Sequence, residues 1–305
     1  MPSGLRGTNP DVTRIGLVLG AGGVTGDAFH RGLLRALSEV GYDARSADVI
    51  VGTSAGSMVG AFLRRPDRRL GATLRHASVH GQRLGSAPDL SPLLAALRQP
   101  WRARPGVIAT SLLPTGRRST DFLVADLAAR HGREWPERPL YVVAARRRDG
   151  RRVVFGRDGS PRTDVAHAVA ASCAIPGFFH PVEIDGEMYV DGGVHSPTNA
   201  DVLDGWDLDV LLVSSPMSVD PRVARPTLDL PMRLGCHRYV RRETARHRRR
   251  GTTVVCFEPG GDLLTAMGLN PLAGERIDEI EELSCERAKS LLLREGLAER
   301  LRVAA

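Results

Sequence analysis

Short, uniformly apolar runs alternate along this chain with longer stretches in which apolar residues recur every three or four positions. Arg14-Ile15-Gly16-Leu17-Val18-Leu19 reads as a buried strand, ended by Gly20-Ala21-Gly22-Gly23-Val24-Thr25-Gly26 and followed by a helix over residues 27–40. A second unit repeats the plan: Asp48-Val49-Ile50-Val51 is a strand, Gly52-Thr53-Ser54-Ala55-Gly56 a turn, and residues 57–64 a helix. Later strands are expected at residues 140–144, 152–155, 188–190, 208–214 and 252–257, with a short helix over residues 164–171. Ile277, Ile280, Leu283, Ala288, Leu291 and Leu292 share one face of a closing helix. Strands alternating with helices predict an α/β fold around a mainly parallel sheet. Neither an internal repeat nor a clear linker interrupts it.

Residues 88–120 fit the alternation least well. Leu90, Leu93, Leu94, Leu97, Trp101, Val107, Ile108, Leu112 and Leu113 are mixed there with prolines and arginines. A lid with an apolar face is one reading, and helices packed over the sheet are the favoured one, because apolar residues at helical spacing normally mark a core face.

At 305 residues the chain has room for two domains or one large one, and 42% hydrophobic with 25% charged residues is an ordinary globular balance. No apolar run approaches the ~18 residues of a membrane span. The first ten residues are polar and lack the apolar core of a signal peptide, which predicts a cytoplasmic protein. Cys173, Cys236, Cys256 and Cys285 form no C-x-x-C pair, so neither a zinc site nor a disulfide framework is expected. The formal net charge is +7, and of 42 basic residues only Lys289 is lysine. Such a balance favours anionic surfaces, yet no aromatic residues interleave the clusters at 64–69, 146–152 and 246–250, so nucleic acid is not an expected partner.

The turn Gly52-Thr53-Ser54-Ala55-Gly56 matches the nucleophile-elbow pattern G-x-S-x-G. A serine on a sharp strand-to-helix turn projects at the sheet's carboxyl edge, and Gly52 and Gly56 on either side let the backbone close up. At a helix N-terminus its alkoxide, and the oxyanion formed by its attack, meet free N–H groups. The earlier glycine loop fails as a dinucleotide site, because from Gly20 the G-x-G-x-x-G pattern requires a small residue where Thr25 stands, and from Gly22 its third position is Val24. The loop remains a nest of N–H groups at a second helix N-terminus, suited to an oxyanion. Tyr189-Val190-Asp191-Gly192-Gly193 puts a carboxylate at a strand end, where Gly192 and Gly193 turn the chain away. Taken alone, Asp191 reads equally as a turn former.

The glycine loop, the G-T-S-A-G elbow and Ala171-Ser172-Cys173-Ala174-Ile175-Pro176-Gly177-Phe178-Phe179 leading to Asp191-Gly192-Gly193, in this order, resemble the patatin-like phospholipases. The resemblance implies a three-layer α/β/α sandwich. It divides the chain into a flexible N-terminus at residues 1–11, a catalytic domain at 12–215, and residues 216–305 as a strand and closing helix on the same domain. It implies a serine-dependent lipid acyl hydrolase with Ser54 as nucleophile, Asp191 as base and the N–H groups of Gly22, Gly23 and Val24 as oxyanion hole, with no metal and no cofactor. One departure is that Thr25 stands where the family pattern often carries Arg or Lys. The expected partner is a lipid or other acyl ester, with peripheral contact to an anionic membrane's inner face from the basic surface. Asp titrates near ~3.9 in water, so Asp191 needs a desolvated setting to serve as a base, with Ile175, Pro176, Phe178 and Phe179 as expected walls. His195 is the alternative base.

Overall fold

A computed structural model of the chain describes residues 13–65, 113, 115–294 and 296–303. Strand β1 (Ile15–Leu19) lies between β2 (Val49–Thr53) and β7 (Val210–Ser214), parallel to both, and β8 (Thr253–Phe257) continues the parallel set beyond β7. On the other side β2 pairs in parallel with β3 (Leu140–Arg146). Three antiparallel strands complete the sheet: β4 (Arg152–Phe155) on β3, β6 (Glu187–Asp191) on β3, and β5 (Val182–Ile184) on β6.

Successive strand residues point to opposite faces, and both faces here are apolar, which explains why the strands read as continuous hydrophobic runs. Leu17, Leu19, Ile50, Val142 and Leu212 enter one core, under α1 (Gly23–Glu39), α2 (Ala55–Leu63), α4 (Val165–Ser172) and α7 (Ile277–Arg294). Val18, Val49, Val51, Val143, Leu211 and Val213 enter a second core, shared with Val240 of α5 (Leu230–Arg249). The result is a three-layer α/β/α arrangement around a mostly parallel sheet.

Helix α1 begins at Gly23, four residues ahead of its expected start, so half of the glycine loop is helix. Its start is crowded: a Cβ on Gly22 would lie 2.6 Å from Pro216, and one on Gly23, at φ +59°, 2.6 Å from the Pro271 carbonyl. β5, α3 (Asp121–His131), α5 and the short α6 (Asp262–Met267) were not anticipated from the sequence. Helix α5 shows why: of its 20 residues only Arg233, Val240, Thr244 and His247 are buried, too thin an apolar stripe to read. Past residue 215, β8 extends the sheet and α7 packs along α1. The expectations for residues 1–11, and for residues 88–112 as helix or lid, fall outside the described residues. No helix among the described residues is long and apolar enough to cross a membrane, and among them no cluster of His, Cys, Asp and Glu is arranged to hold a metal ion.

Candidate active site

The strand register brings the two motif residues together. Val142 and Val143 of β3 pair with β2 and β4 at once, and Ala144 and Ala145 with β4 and β6, so β2 and β6 lie on the same edge of β3. Thr53, the last residue of β2, faces Val143, and Asp191, the last of β6, faces the next residue, Ala144. The two strands run in opposite directions and meet tip to tip. Ser54 leaves one tip as Asp191 leaves the other.

Ser54 has φ +53° and ψ −123°, a backbone conformation that L-residues rarely adopt. The surroundings impose it. A Cβ on Gly56 would lie 2.0 Å from the Leu19 carbonyl oxygen, and one on Gly52 2.4 Å from Ser57 Cα, so the elbow closes only with glycine at both places. The Ser54 amide donates to Ser172 Oγ at 2.8 Å, and Ser172 Oγ donates to the Val143 carbonyl at 2.6 Å. Ser57 Oγ donates to the Ser54 carbonyl at 2.6 Å. Ser54 is only 3% exposed.

Asp191 is 6% exposed and accepts a hydrogen bond from the Gly193 amide at 2.7 Å, and the Ser54 side chain lies near enough to favour its ionised form. Burial raises its pKa from 3.8 to about 6, overriding the nearby Ser54 hydroxyl and Gly193 amide, which pull it down. Gly192 crosses close enough to β3 that a Cβ would lie 2.3 Å from the Val143 carbonyl oxygen. A Cβ on Gly193 would lie 3.0 Å from Asp191 Oδ1 and 3.1 Å from Ala21 Cβ, which puts the aspartate turn against the glycine loop. The expected apolar walls are arranged differently: Phe179 is buried in the main core and Phe178 is exposed, while the Asp191 amide donates to the Ala174 carbonyl at 3.0 Å. Cys173 lies in the same neighbourhood, where burial and the Asp191 charge push its thiol far above the ordinary range, so it stays protonated.

In the glycine loop several amides are already used. Gly20 donates to the Ser214 carbonyl, Ala21 to the Pro197 carbonyl and Thr25 to the Pro271 carbonyl. The amides of Gly22, Gly23 and Val24 open α1 with no acceptor among the described residues, which is the condition for holding an oxyanion. Beneath them His30 is fully buried, with Nε2 2.8 Å from the Gly20 carbonyl and Nδ1 2.7 Å from Ser214 Oγ. Burial lowers its pKa to about 4, so the ring is neutral, donates from Nε2 to Gly20 and accepts from Ser214. Sequence reading assigned no role to Ser172 or His30. Ser172 sits among the small residues that precede Ile175-Pro176-Gly177 with nothing to mark its hydroxyl, and His30 falls on the buried face of a helix. His195 places Nδ1 3.4 Å from the Gly150 carbonyl.

The chain is 29% identical over 219 residues to uncharacterized NTE family proteins of Mycobacterium bovis and Mycobacterium tuberculosis, an alignment covering 70% of this chain and 52% of theirs. The chain thus spans about half the length of these curated relatives. Among solved structures, VipD from Legionella pneumophila aligns at 14% identity and a TM-score of 0.39, covering 93% of this chain and 67% of that one. The ExoU–SpcU complex of Pseudomonas aeruginosa aligns at 18% identity and a TM-score of 0.35, covering 93% and 52%. Residues 17–204, more than half of the chain, match the patatin-like phospholipase family, and the chain belongs to that family.

Proposed function

We propose that this protein is a serine-dependent lipid acyl hydrolase of the phospholipase A or esterase type, working through a Ser54–Asp191 dyad. The observation that carries this reading is the meeting of two strand tips, which puts Ser54, on its strained elbow, beside a buried carboxylate whose pKa is raised to about 6. A carboxylate titrating there is still ionised at neutral pH and is a stronger base than an exposed aspartate. Ser54 Oγ attacks the ester carbonyl while its proton passes to Asp191, and the amides of Gly22, Gly23 and Val24 hold the oxyanion. Collapse expels the alcohol, which takes the proton from Asp191. Water, deprotonated by the same carboxylate, then releases the acid and restores Ser54. No step calls for a metal or cofactor.

The test is fluorophosphonate labelling of wild type, Ser54→Ala, Asp191→Asn and His195→Ala, with hydrolysis of short p-nitrophenyl esters in parallel. The first two variants lose labelling and turnover, at least about a hundredfold for Asp191→Asn, and His195→Ala keeps both. A folded wild type that neither labels nor hydrolyses refutes the reading in favour of a non-catalytic lipid-binding protein. The substrate proposed is a lipid acyl ester at a membrane surface, and the net charge of +7 supports peripheral docking on the anionic face of a cytoplasmic membrane. Vesicle binding that ignores salt overturns the docking part alone.

A further inference from the structure

The loop from Ser196 to Ala200 touches all three parts of the site. The Pro197 carbonyl accepts the Ala21 amide of the glycine loop at 2.8 Å, and a Cβ on Gly20 would lie 2.8 Å from that same oxygen. Asn199 Nδ2 donates to Thr53 Oγ1, next to the nucleophile, at 3.2 Å, to the Gly192 carbonyl, next to the aspartate, at 3.4 Å, and to the Ser196 carbonyl at 2.8 Å. The Ser196 and Asn199 side chains are almost wholly buried, and Asn199 itself is left-handed at φ +54°. A loop in this conformation needs something to hold it. Ser196 Oγ accepts the Thr198 and Asn199 amides, which is local. Outside support comes from Arg152 on β4, which donates to Asn199 Oδ1 at 3.4 Å, and more closely from Glu243 on α5: its Oε2 accepts the Thr198 hydroxyl at 2.6 Å and the Ala200 amide at 2.9 Å.

Helix α5 lies beyond residue 204, where the family match ends. Resting on the hydrolase reading above, we propose that Glu243 is a positioning residue, which fixes the Ser196–Ala200 loop from α5 and, through Asn199 and Pro197, sets the Asp191 turn and the glycine loop against Ser54. It touches no reacting atom. Its action is geometric, and a misplacement on the order of 1 Å between reacting groups is enough to slow chemistry about a hundredfold. Both of its bonds converge on one oxygen, so glutamine can keep them and alanine cannot. At Asn199 glycine keeps the left-handed backbone without strain and removes only the amide.

The experiment compares wild type, Glu243→Gln, Glu243→Ala and Asn199→Gly by kcat and KM on a p-nitrophenyl ester, by rate of fluorophosphonate labelling, and by amide hydrogen exchange over residues 192–200. Glu243→Ala and Asn199→Gly are expected to lose roughly tenfold or more in kcat and labelling rate with KM within about twofold, while Glu243→Gln stays near wild type. Exchange over 192–200 speeds up in Glu243→Ala and not in Glu243→Gln. A folded Glu243→Ala with wild-type rates overturns the proposal, as does a Glu243→Gln that is as impaired as the alanine variant. Should Glu243→Ala not fold, Asn199→Gly decides between the same outcomes. A wild type inert to probe and ester refutes the hydrolase reading instead. Exchange alone then judges the restraint, and unchanged exchange in Glu243→Ala overturns it.

Discussion

Replacing Asp191 with asparagine should abolish activity and, at neutral pH, stabilise the fold. The native site holds a carboxylate that burial makes costly to ionise: a rise from 3.8 to about 6 amounts to about 3 kcal/mol at ~1.4 kcal/mol per pH unit. Because the folded pKa lies above the unfolded one, the associated stability is complete below pH 3.8 and is lost as pH rises through about 6. Asparagine carries no such charge, can still accept the Gly193 amide on Oδ1 and can donate from its NH₂ to Ser54 Oγ. His30 works in the opposite sense. Its pKa falls from 6.5 to about 4, so its contribution is full above pH 6.5 and is lost as pH falls toward 4, again by about 3 kcal/mol. In wild type the two slopes largely offset each other between pH 4 and 6.5. His30 titrates in both proteins and cancels in their difference. Urea unfolding of wild type and Asp191→Asn, followed at pH 8 and pH 4, therefore isolates Asp191: the unfolding free energy of the variant minus that of wild type should be about 2.5 kcal/mol larger at pH 8 than at pH 4. A relative stability that is the same at both pH values would refute the claim that burial raises this carboxylate.

Three further outcomes follow from the same geometry. kcat/KM for a p-nitrophenyl ester should fall about tenfold per pH unit below about 6 and level off above it, since the base proposed is the ionised form of Asp191, and a plateau reaching down to pH 4.5 would argue for an ordinary carboxylate. Ser54→Gly should be more stable than Ser54→Ala by about 1–2 kcal/mol, because glycine is relaxed at φ +53° and alanine is not, and equal urea midpoints would remove the strain from the elbow. His30→Ala should lose about 3 kcal/mol or more, leaving the Gly20 carbonyl and Ser214 hydroxyl buried beside a cavity, and a loss below about 1 kcal/mol in urea unfolding would show that the ring is not what supports the loop.

How far the molecule could be read from its chain differs from part to part. Elements whose residues are buried on two sides announce themselves: β1, β2 and β7 are fully buried runs dominated by Val, Leu and Ile, with Gly inside β1 and β2 and a Thr or Ser only at the end of β2 and β7. The elbow announces itself too, because a strand must turn into a helix within five residues and only glycine fits beside Leu19 and Ser57. Helix α5 was silent because it shows mostly arginines to solvent, and β5 because three residues carry no periodicity.

Local chemistry thus determined what this protein is built from: an α/β alternation, a serine at a strand-to-helix turn, a glycine loop at a helix start and an aspartate at a strand end. Each of these depends on neighbours within a few positions, so composition and spacing carry them. What the tertiary structure alone decided is how those pieces meet. That β2 and β6 share one edge of β3 is a matter of pairing Thr53 with Val143 and Ala144 with Asp191, 90 and 47 positions apart in the chain, and it sets Asp191, locally an ordinary turn residue, beside Ser54. The raised pKa of Asp191, the neutral state of His30 beneath the glycine loop and the reach of Glu243 into the Ser196–Ala200 loop arise in the same way, because burial and long-range hydrogen bonds are properties of packed neighbours and leave no local signature in the chain.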